Sequence, residues 1–495
     1  MLGNPLSFLN TVSTEFFLSF IILSLLVFST LLINLYETSK TLNNLIIIPT
    51  IFFTLFYVFS LSYFTPEFSI TLFNGVLIYD EFTKFLHVFI LICFIIYMLL
   101  QRLQTLRNNF QHFENNIIIL LSILGMLLLS STYNLITLYL ALELQSLAFY
   151  ILAALKNDSP VSSEASLKYF ILGAVGSGFA LYGISIIYGI CGSVNLGNIF
   201  LVLNQLNLIE NTFFLMVFVY AFLFLCVGIL FKVGAAPFHT WLPDVYEGSP
   251  NHITLLFVIV PKIALIGLLI RLFFGMSMNV SEFFTYFFYI SSVLSISVGS
   301  LAALQQKKIK RLLAYSSISH VGFILIGFVV TSYKSIELIL FYLIVYMVMS
   351  INIWAIYLSI QYKSKPLVFL TSFTNFSKSN SMLAVTLALN LFSMAGIPPL
   401  VGFFSKLYLI SLAIDFGFVG LASTAIILSV LSTFYYLRLI KIIFFDASIK
   451  IEPMKITPKI ESLIISLTSV FIVLYFIFPE YILIYLEKLV FLLFI

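Results

Sequence analysis

The sequence predicts an all-α polytopic membrane protein of about fourteen transmembrane helices. They are arranged as two inverted five-helix repeats, each with one broken helix, the seventh and the twelfth. Three observations carry this. Hydrophobic residues make up 61% of the chain and charged residues 9%, against about 45–50% and 25% in soluble domains. A soluble surface cannot be built from so little charge, and inside a bilayer helices satisfy their own backbone groups. The apolar residues also fall into runs of spanning length, about 20 residues. Finally, two of those runs are interrupted by Gly and Pro beside a lysine. Lys232 precedes Gly234 and Pro237, and Gly396-Ile-Pro-Pro-Leu-Val-Gly402 precedes Lys406. The breaks lie five spans apart, the spacing of five-helix transporter repeats with one discontinuous helix each.

In chain order, spans are expected near 16–35, 45–64, 82–100, 116–131, 133–155, 166–190, 212–237, 253–274, 283–303, 309–330, 336–360, 382–412, 419–445 and 460–478. A polar excursion at 65–81 holds Asn74-Gly75, a hairpin-turn pair. A Gly/Asn-rich loop is expected at 192–198, and the tail from 481 is expected at the interface. The domain division follows: N-terminal helices over 1–114, a first repeat over 115–275, a second over 276–446, and a last helix with its tail over 447–495. Of the 24 Lys and Arg, seventeen fall in loops after odd-numbered spans and four on the opposite side. The positive-inside rule then puts the odd loops in cytoplasm or matrix and both termini opposite. Lys232, Lys262 and Lys406 remain, and these are expected inside the membrane.

Intramembrane charges are rare and mark ion pathways; an isolated one costs about 2.5–3.5 kcal/mol on insertion scales. Glu143 lies well inside the fifth span, and Lys232 is its expected partner. The plain alternative is a structural ion pair. Lys262 follows Pro261 within the eighth span; burial and a neighbouring carboxylate pull a lysine's proton affinity in opposite directions. For Lys262 and Lys406 the alternative is snorkelling to the interface. His320 sits among Tyr and Ser hydroxyls, and its side-chain type titrates near 6.5; a hydrogen-bonded core histidine is the alternative. His239, just past the seventh break, fits a wet cavity and a solvated loop equally well.

Other features carry less. The glycines of 173–178 sit in mid-span with no preceding strand, which points to close helix packing. The basic run Lys307-Lys308-Ile-Lys310-Arg311 reads as a topology signal and not as a nucleic-acid patch. Cys93, Cys191 and Cys226 are scattered, without metal or disulfide spacing. Met and aromatic positions read as packing or lipid-facing. No Arg-rich, acid-poor leader precedes the first apolar run, and the Phe/Ile bias fits an AT-rich organelle genome.

These residues resemble the antiporter-like membrane subunits of respiratory complex I, NADH:ubiquinone oxidoreductase. Leu138-Tyr-Leu-Ala-Leu-Glu-Leu-Gln-Ser146 is similar to that family's fifth-helix glutamate motif. Phe231-Lys-Val-Gly-Ala-Ala-Pro-Phe-His-Thr-Trp-Leu-Pro-Asp-Val-Tyr-Glu-Gly-Ser-Pro250 is similar to its seventh-helix signature. Pro261-Lys262, the run from Lys310 to His320, and Ala395 to Lys406 follow in order. The resemblance covers roughly residues 100–445. Lysine at position 406, the Asp-Val-Tyr-Glu-Gly-Ser-Pro ending and the lack of a long lateral helix favour the subunit 2 branch. Asn251-His252 departs from the small residues usual there.

The resemblance implies a proton-translocating subunit of the inner mitochondrial membrane, driven by quinone reduction elsewhere in the complex. It implies that Glu143 sets the charge state of Lys232 and that Lys232 binds the proton. Lys262 and His320 would carry it along a central axis to Lys406. It also implies no cofactor in this chain, with NADH, FMN, iron–sulfur clusters and ubiquinone on other subunits. Expected partners are other membrane-arm subunits, especially the antiporter-like subunit 4 and the small subunit 4L, in the lipid bilayer and without nucleic acid. Two other readings stay open: a subunit of a cation/proton antiporter, and a non-pumping membrane scaffold.

Overall fold

The computed structural model describes residues 69–108, 114–156, 159–208, 212–275, 278–362, 365–366, 368–446, 459–477 and 479–493, with 50, 54, 55 and 58 besides. The first two expected spans lie outside these continuous stretches. The polar excursion forms the expected hairpin. Strands β1 (Ile70–Leu72) and β2 (Leu77–Tyr79) pair antiparallel, with Leu72 opposite Leu77. Phe73, Asn74 and Gly75 turn the chain at φ 52°, 56° and 81°, the left-handed region that Asn and Gly tolerate best.

Helix α1 (Glu81–Asn108) opens on a reciprocal cap. The Thr83 N–H donates to Asp80 Oδ1 at 2.7 Å and the Asp80 N–H to Thr83 Oγ1 at 2.9 Å, which satisfies two donors that a helix start leaves orphaned. Then follow α2 (Glu114–Ser131), α3 (Leu135–Ala153), α4 (Pro160–Cys191), α5 (Leu196–Leu208) and α6 (Thr212–Val233). α7 (Trp241–Gly248), α8 (Asn251–Phe274), α9 (Met278–Leu304), α10 (Ile309–Val329) and α11 (Tyr333–Ser359) come next. The chain ends in α12 (Ser381–Ala395), α13 (Val401–Asp415), α14 (Val419–Phe444), α15 (Lys459–Leu474) and α16 (Glu480–Leu493). The 192–198 loop is shorter than expected, because α5 begins inside it. At 13 residues, about 20 Å, α5 is too short to leave a spanning signal.

Among the described residues, 11 helices are long and apolar enough to cross a membrane, and α12 and α13 together replace one more. α8 is apolar around its whole circumference, which marks a helix surrounded by protein or lipid. Here it is protein: the apolar window of α8 is 100% buried, against 33% for α4 and 39% for α14. α8, α10 and α11 therefore form the centre and the others the wall. Glycines set two close crossings. A Cβ on Gly125 of α2 would sit 3.2 Å from the Ala141 carbonyl oxygen and 2.9 Å from the Gln145 nitrogen of α3. A Cβ on Gly299 of α9 would sit 2.8 Å from the Tyr315 oxygen and 2.6 Å from the Ser319 nitrogen of α10.

Candidate functional site

Both expected breaks are present and are built alike. α6 ends on Gly234 at φ 83°, and α12 ends on Gly396 at φ 87°. Beyond each, one N–H reaches back five residues: Ala235 to the Leu230 carbonyl, and Ile397 to the Phe392 carbonyl, each at 3.1 Å. This is a glycine-terminated helix end of the Schellman type. Past the first break the chain resumes as α7, past the second as α13.

Lys232, in the last turn of α6, is 9% exposed. Its ammonium donates to the Tyr150 hydroxyl of α3 at 3.0 Å. The expected pairing with Glu143 is indirect. Glu143 acts on Lys232 electrostatically, but its Oε2 accepts from Ser146 Oγ at 3.3 Å, and Glu143 belongs to no ion pair within 4.0 Å among the described residues. Tyr150 reaches Lys232 because Gly173 leaves it room; a Cβ there would lie 2.0 Å from the hydroxyl oxygen. Close packing in the 173–178 run is thus tied to the lysine.

A small cavity of about 20 Å³ is lined by both Lys232 and Lys262, and also by Gln145, Ser146, Trp241 and Tyr246. Lys262 is 2% exposed and donates to the Tyr346 hydroxyl of α11 at 2.9 Å. It does not snorkel. Tyr346 lies 5.2 Å, centroid to centroid, from the His320 ring. His320 Nδ1 bonds the Tyr342 hydroxyl at 2.8 Å, and Nε2 bonds the Tyr436 hydroxyl at 3.3 Å. His320 lies within electrostatic reach of both Lys262 and Lys406. Lys406, 6% exposed, turns inward as well. It donates to the Met394 and Ala395 carbonyls at 2.8 and 3.0 Å, the open carbonyl end of α12, where the helix dipole favours a cation.

Lys232, Lys262, His320 and Lys406 are thus brought into one interior system, with Glu143 at its edge. The tyrosines that join them, Tyr150, Tyr346, Tyr342 and Tyr436, were expected to be packing. With 27 tyrosines in the chain, nothing in the sequence singled these out. A tyrosine hydroxyl both donates and accepts, so each can pass a proton between two neighbours. None of the three lysines is tied to a carboxylate at hydrogen-bonding distance among the described residues. An ammonium held by neutral oxygens can lose its proton without leaving a buried anion unpaired.

His239 is half-buried outside this system, and burial holds its imidazole below the usual range. The basic run is more than a topology signal. Arg311 Nη2 donates to Asp244 Oδ1 at 2.5 Å, and its Nε lies 2.5 Å from Glu247 Oε2. Lys308 pairs with Glu247. Lys310 donates to the Ser249 carbonyl at 2.7 Å, and Lys168 of α4 pairs with Asp244 at 3.1 Å.

Residues 132–432 match the family described as "NADH:quinone oxidoreductase/Mrp antiporter, TM". The chain is 40% identical over 408 residues to NADH-ubiquinone oxidoreductase chain 2 of Marchantia polymorpha, covering 82% of each. It is 37% identical over 416 residues to NADH-quinone oxidoreductase subunit N of Parvibaculum lavamentivorans, covering 84% of each. It is also similar to a chain in the solved respiratory complex I of Thermus thermophilus, with a TM-score of 0.76 and 26% identity, covering 94% of this chain and 98% of that one.

Proposed function

The chain belongs to the membrane-subunit family of NADH:quinone oxidoreductases and Mrp antiporters, and from that premise we propose that it is the subunit 2 type of proton-translocating subunit in a respiratory NADH:ubiquinone oxidoreductase. The observation that carries the reading is the buried run of proton-binding groups from Lys232 through Lys262 and His320 to Lys406, lying between two broken helices. In this reading Lys232 takes up the proton and Glu143 tunes it through space. Lys262 and His320 pass the proton on through Tyr346 and Tyr342. Lys406 holds it at the second break. One pKa unit corresponds to about 1.4 kcal/mol, and a charge crossing 100 mV to about 2.3 kcal/mol. Moving one buried partner is enough to load or unload a lysine against the membrane potential. The driving energy comes from quinone reduction on other subunits, which carry NADH, FMN, iron–sulfur clusters and ubiquinone.

The five-helix repeats have support in the packing. α2 packs on α3 as α9 does on α10, α3 on α4 as α10 on α11, and α8 on α2 as α14 on α9. Gly125 crosses α3 at Ala141 and Gln145, and Gly299 crosses α10 at Tyr315 and Ser319. Glu143 is midway between the first pair and Ser317 midway between the second. The second repeat therefore carries a hydroxyl where the first carries its carboxylate, and Lys406 takes helix-end carbonyls instead. The 11 spans and the broken α12–α13 account for twelve of the fourteen expected spans, and the two apolar runs before residue 65 are the sequence's candidates for the others. The basic skew of the odd-numbered loops places them in the matrix and both termini on the intermembrane side. In such a complex the antiporter-like subunit 4 and the small subunit 4L are neighbours. The names of the relatives favour the oxidoreductase over a cation/proton antiporter.

The test is Lys232→Met in the assembled complex, with proton pumping and quinone reduction measured together. Methionine keeps the length and removes the charge. The expected outcome is normal assembly with pumping and coupled turnover lost. Wild-type rates of both would favour the scaffold reading.

A further inference from the structure

The short helix α7 stands between the two lysines of the first repeat and is gripped from the second. On its inner face the Trp241 indole N–H donates to the Phe231 carbonyl at 2.9 Å. Phe231 adjoins Lys232 in the last turn of α6, where carbonyls lack the usual partner four residues on. The same indole stacks on Tyr169 at 4.5 Å and 8°. Tyr169 in turn meets Tyr150, the hydroxyl partner of Lys232, edge to face at 4.8 Å. Further along α7, the Tyr246 hydroxyl donates to the Phe257 carbonyl of α8 at 3.4 Å. Tyr246 lies beside Ser317, which also adjoins Tyr346, the hydroxyl partner of Lys262. Trp241 and Tyr246 are 4% and 1% exposed, and both line the cavity between the lysines.

The other face of α7 carries Asp244 and Glu247. Both are held by Arg311, with Lys308 on Glu247. Lys308 immediately precedes α10 and Arg311 lies in its first turn, so two cations at one helix start hold two carboxylates of another helix. α7 has little freedom elsewhere. A Cβ on Gly248 would lie 2.6 Å from the Val161 carbonyl oxygen of α4, so the helix end rests directly on backbone.

We propose that α7 positions both lysines and that the ion pairs from α10 set its seat, which makes Trp241, Tyr246, Asp244 and Arg311 positioning residues for proton transfer between Lys232 and Lys262. Arg311 and His320 share one helix. A displacement of α10 at His320 therefore reaches the Lys232 site through Arg311, Asp244 and Trp241. The inference rests on the proton-translocation reading above.

The experiment uses the assembled complex in sealed membrane vesicles, with Trp241→Phe, Arg311→Lys and the two combined. Phenylalanine keeps an aromatic ring and loses the N–H; lysine keeps the charge and loses the planar fork. Assembled complex, quinone reduction and proton pumping are measured for each, and pumping is normalised to assembled complex. Trp241→Phe is expected to lower pumping about five-fold, the factor carried by one lost hydrogen bond of ordinary worth. Arg311→Lys is expected to lower it in the same direction. The double variant is expected to pump no less than the weaker single, because both changes release the same seat and their effects do not add. If Trp241→Phe fails to assemble, Arg311→Lys decides. Wild-type pumping by assembled variants, or losses that multiply in the double, would overturn the proposal. Lys232→Met run alongside separates the two readings. If it pumps normally, proton translocation at Lys232 is wrong. If it fails while the α7 variants pump normally, only the positioning role of α7 is wrong.

Discussion

At Gly173 a missing side chain decides what a lysine touches. Adding one methyl group would drive the Tyr150 hydroxyl from its place and break its bond to Lys232. Gly173→Ala is expected to leave the complex assembled and to lower proton pumping about five-fold, on the scale of one hydrogen bond. Gly178→Ala is the matched control, since nothing lies within 4 Å of its new Cβ; vesicle pumping assays on both compare them directly. Asp80 makes a different kind of contact. Both its oxygens accept from Arg271 Nη2, at 2.9 and 2.8 Å, and Arg271 is 9% exposed. Asp80→Asn leaves that guanidinium without its counter-charge. The expected loss is about 2–3 kcal/mol, short of the full cost of breaking a wholly buried pair because both groups keep some water contact. It is read as a lower unfolding temperature of the solubilised complex.

At the scale of the element, each broken helix needs its glycine for backbone reasons. Gly396 holds φ 87°, which costs any residue with a Cβ about 1–2 kcal/mol. That Cβ would also press on Lys406 Cδ at 3.1 Å. Gly396→Ala should therefore lower both the unfolding temperature and the pumping rate, whereas a purely structural turn would lose stability alone. Measuring the two in the same preparation distinguishes these outcomes. The breaks were legible in the sequence because Gly and Pro occur together beside a lysine inside an apolar run. α5 and α7 were not legible. Both are too short to register as spans, and the pairing of Asp244 and Glu247 of α7 with basic residues of α10 appears only in the folded chain.

For the whole molecule, the two glycine crossings offer a test of the repeat. Gly125→Val and Gly299→Val each force side-chain atoms into the backbone of the next helix. Overpacking of this kind costs about 1–3 kcal/mol or more. If the halves are built alike, the two variants should reduce folded subunit in the membrane to a similar degree, read by immunoblot of the membrane fraction. A strong loss at one and none at the other would count against equivalent crossings.

The apolar runs and their interruptions are enough to mark a helical membrane protein with two interrupted spans, and they single out Glu143, Lys232, Lys262, His320 and Lys406. A charge in an apolar run is visible whatever surrounds it, because the bilayer makes it costly everywhere. What each charge touches depends on how the helices pack. Lys232 was expected to meet Glu143 and instead bonds Tyr150, while Lys406 caps the carbonyl end of α12. Tyr342, Tyr346 and Tyr436 meet His320 because α10, α11 and α14 converge there. A tyrosine in a chain with 17% aromatic residues carries no signal until helix packing aims its hydroxyl, since its ring serves equally well against lipid, core or lysine.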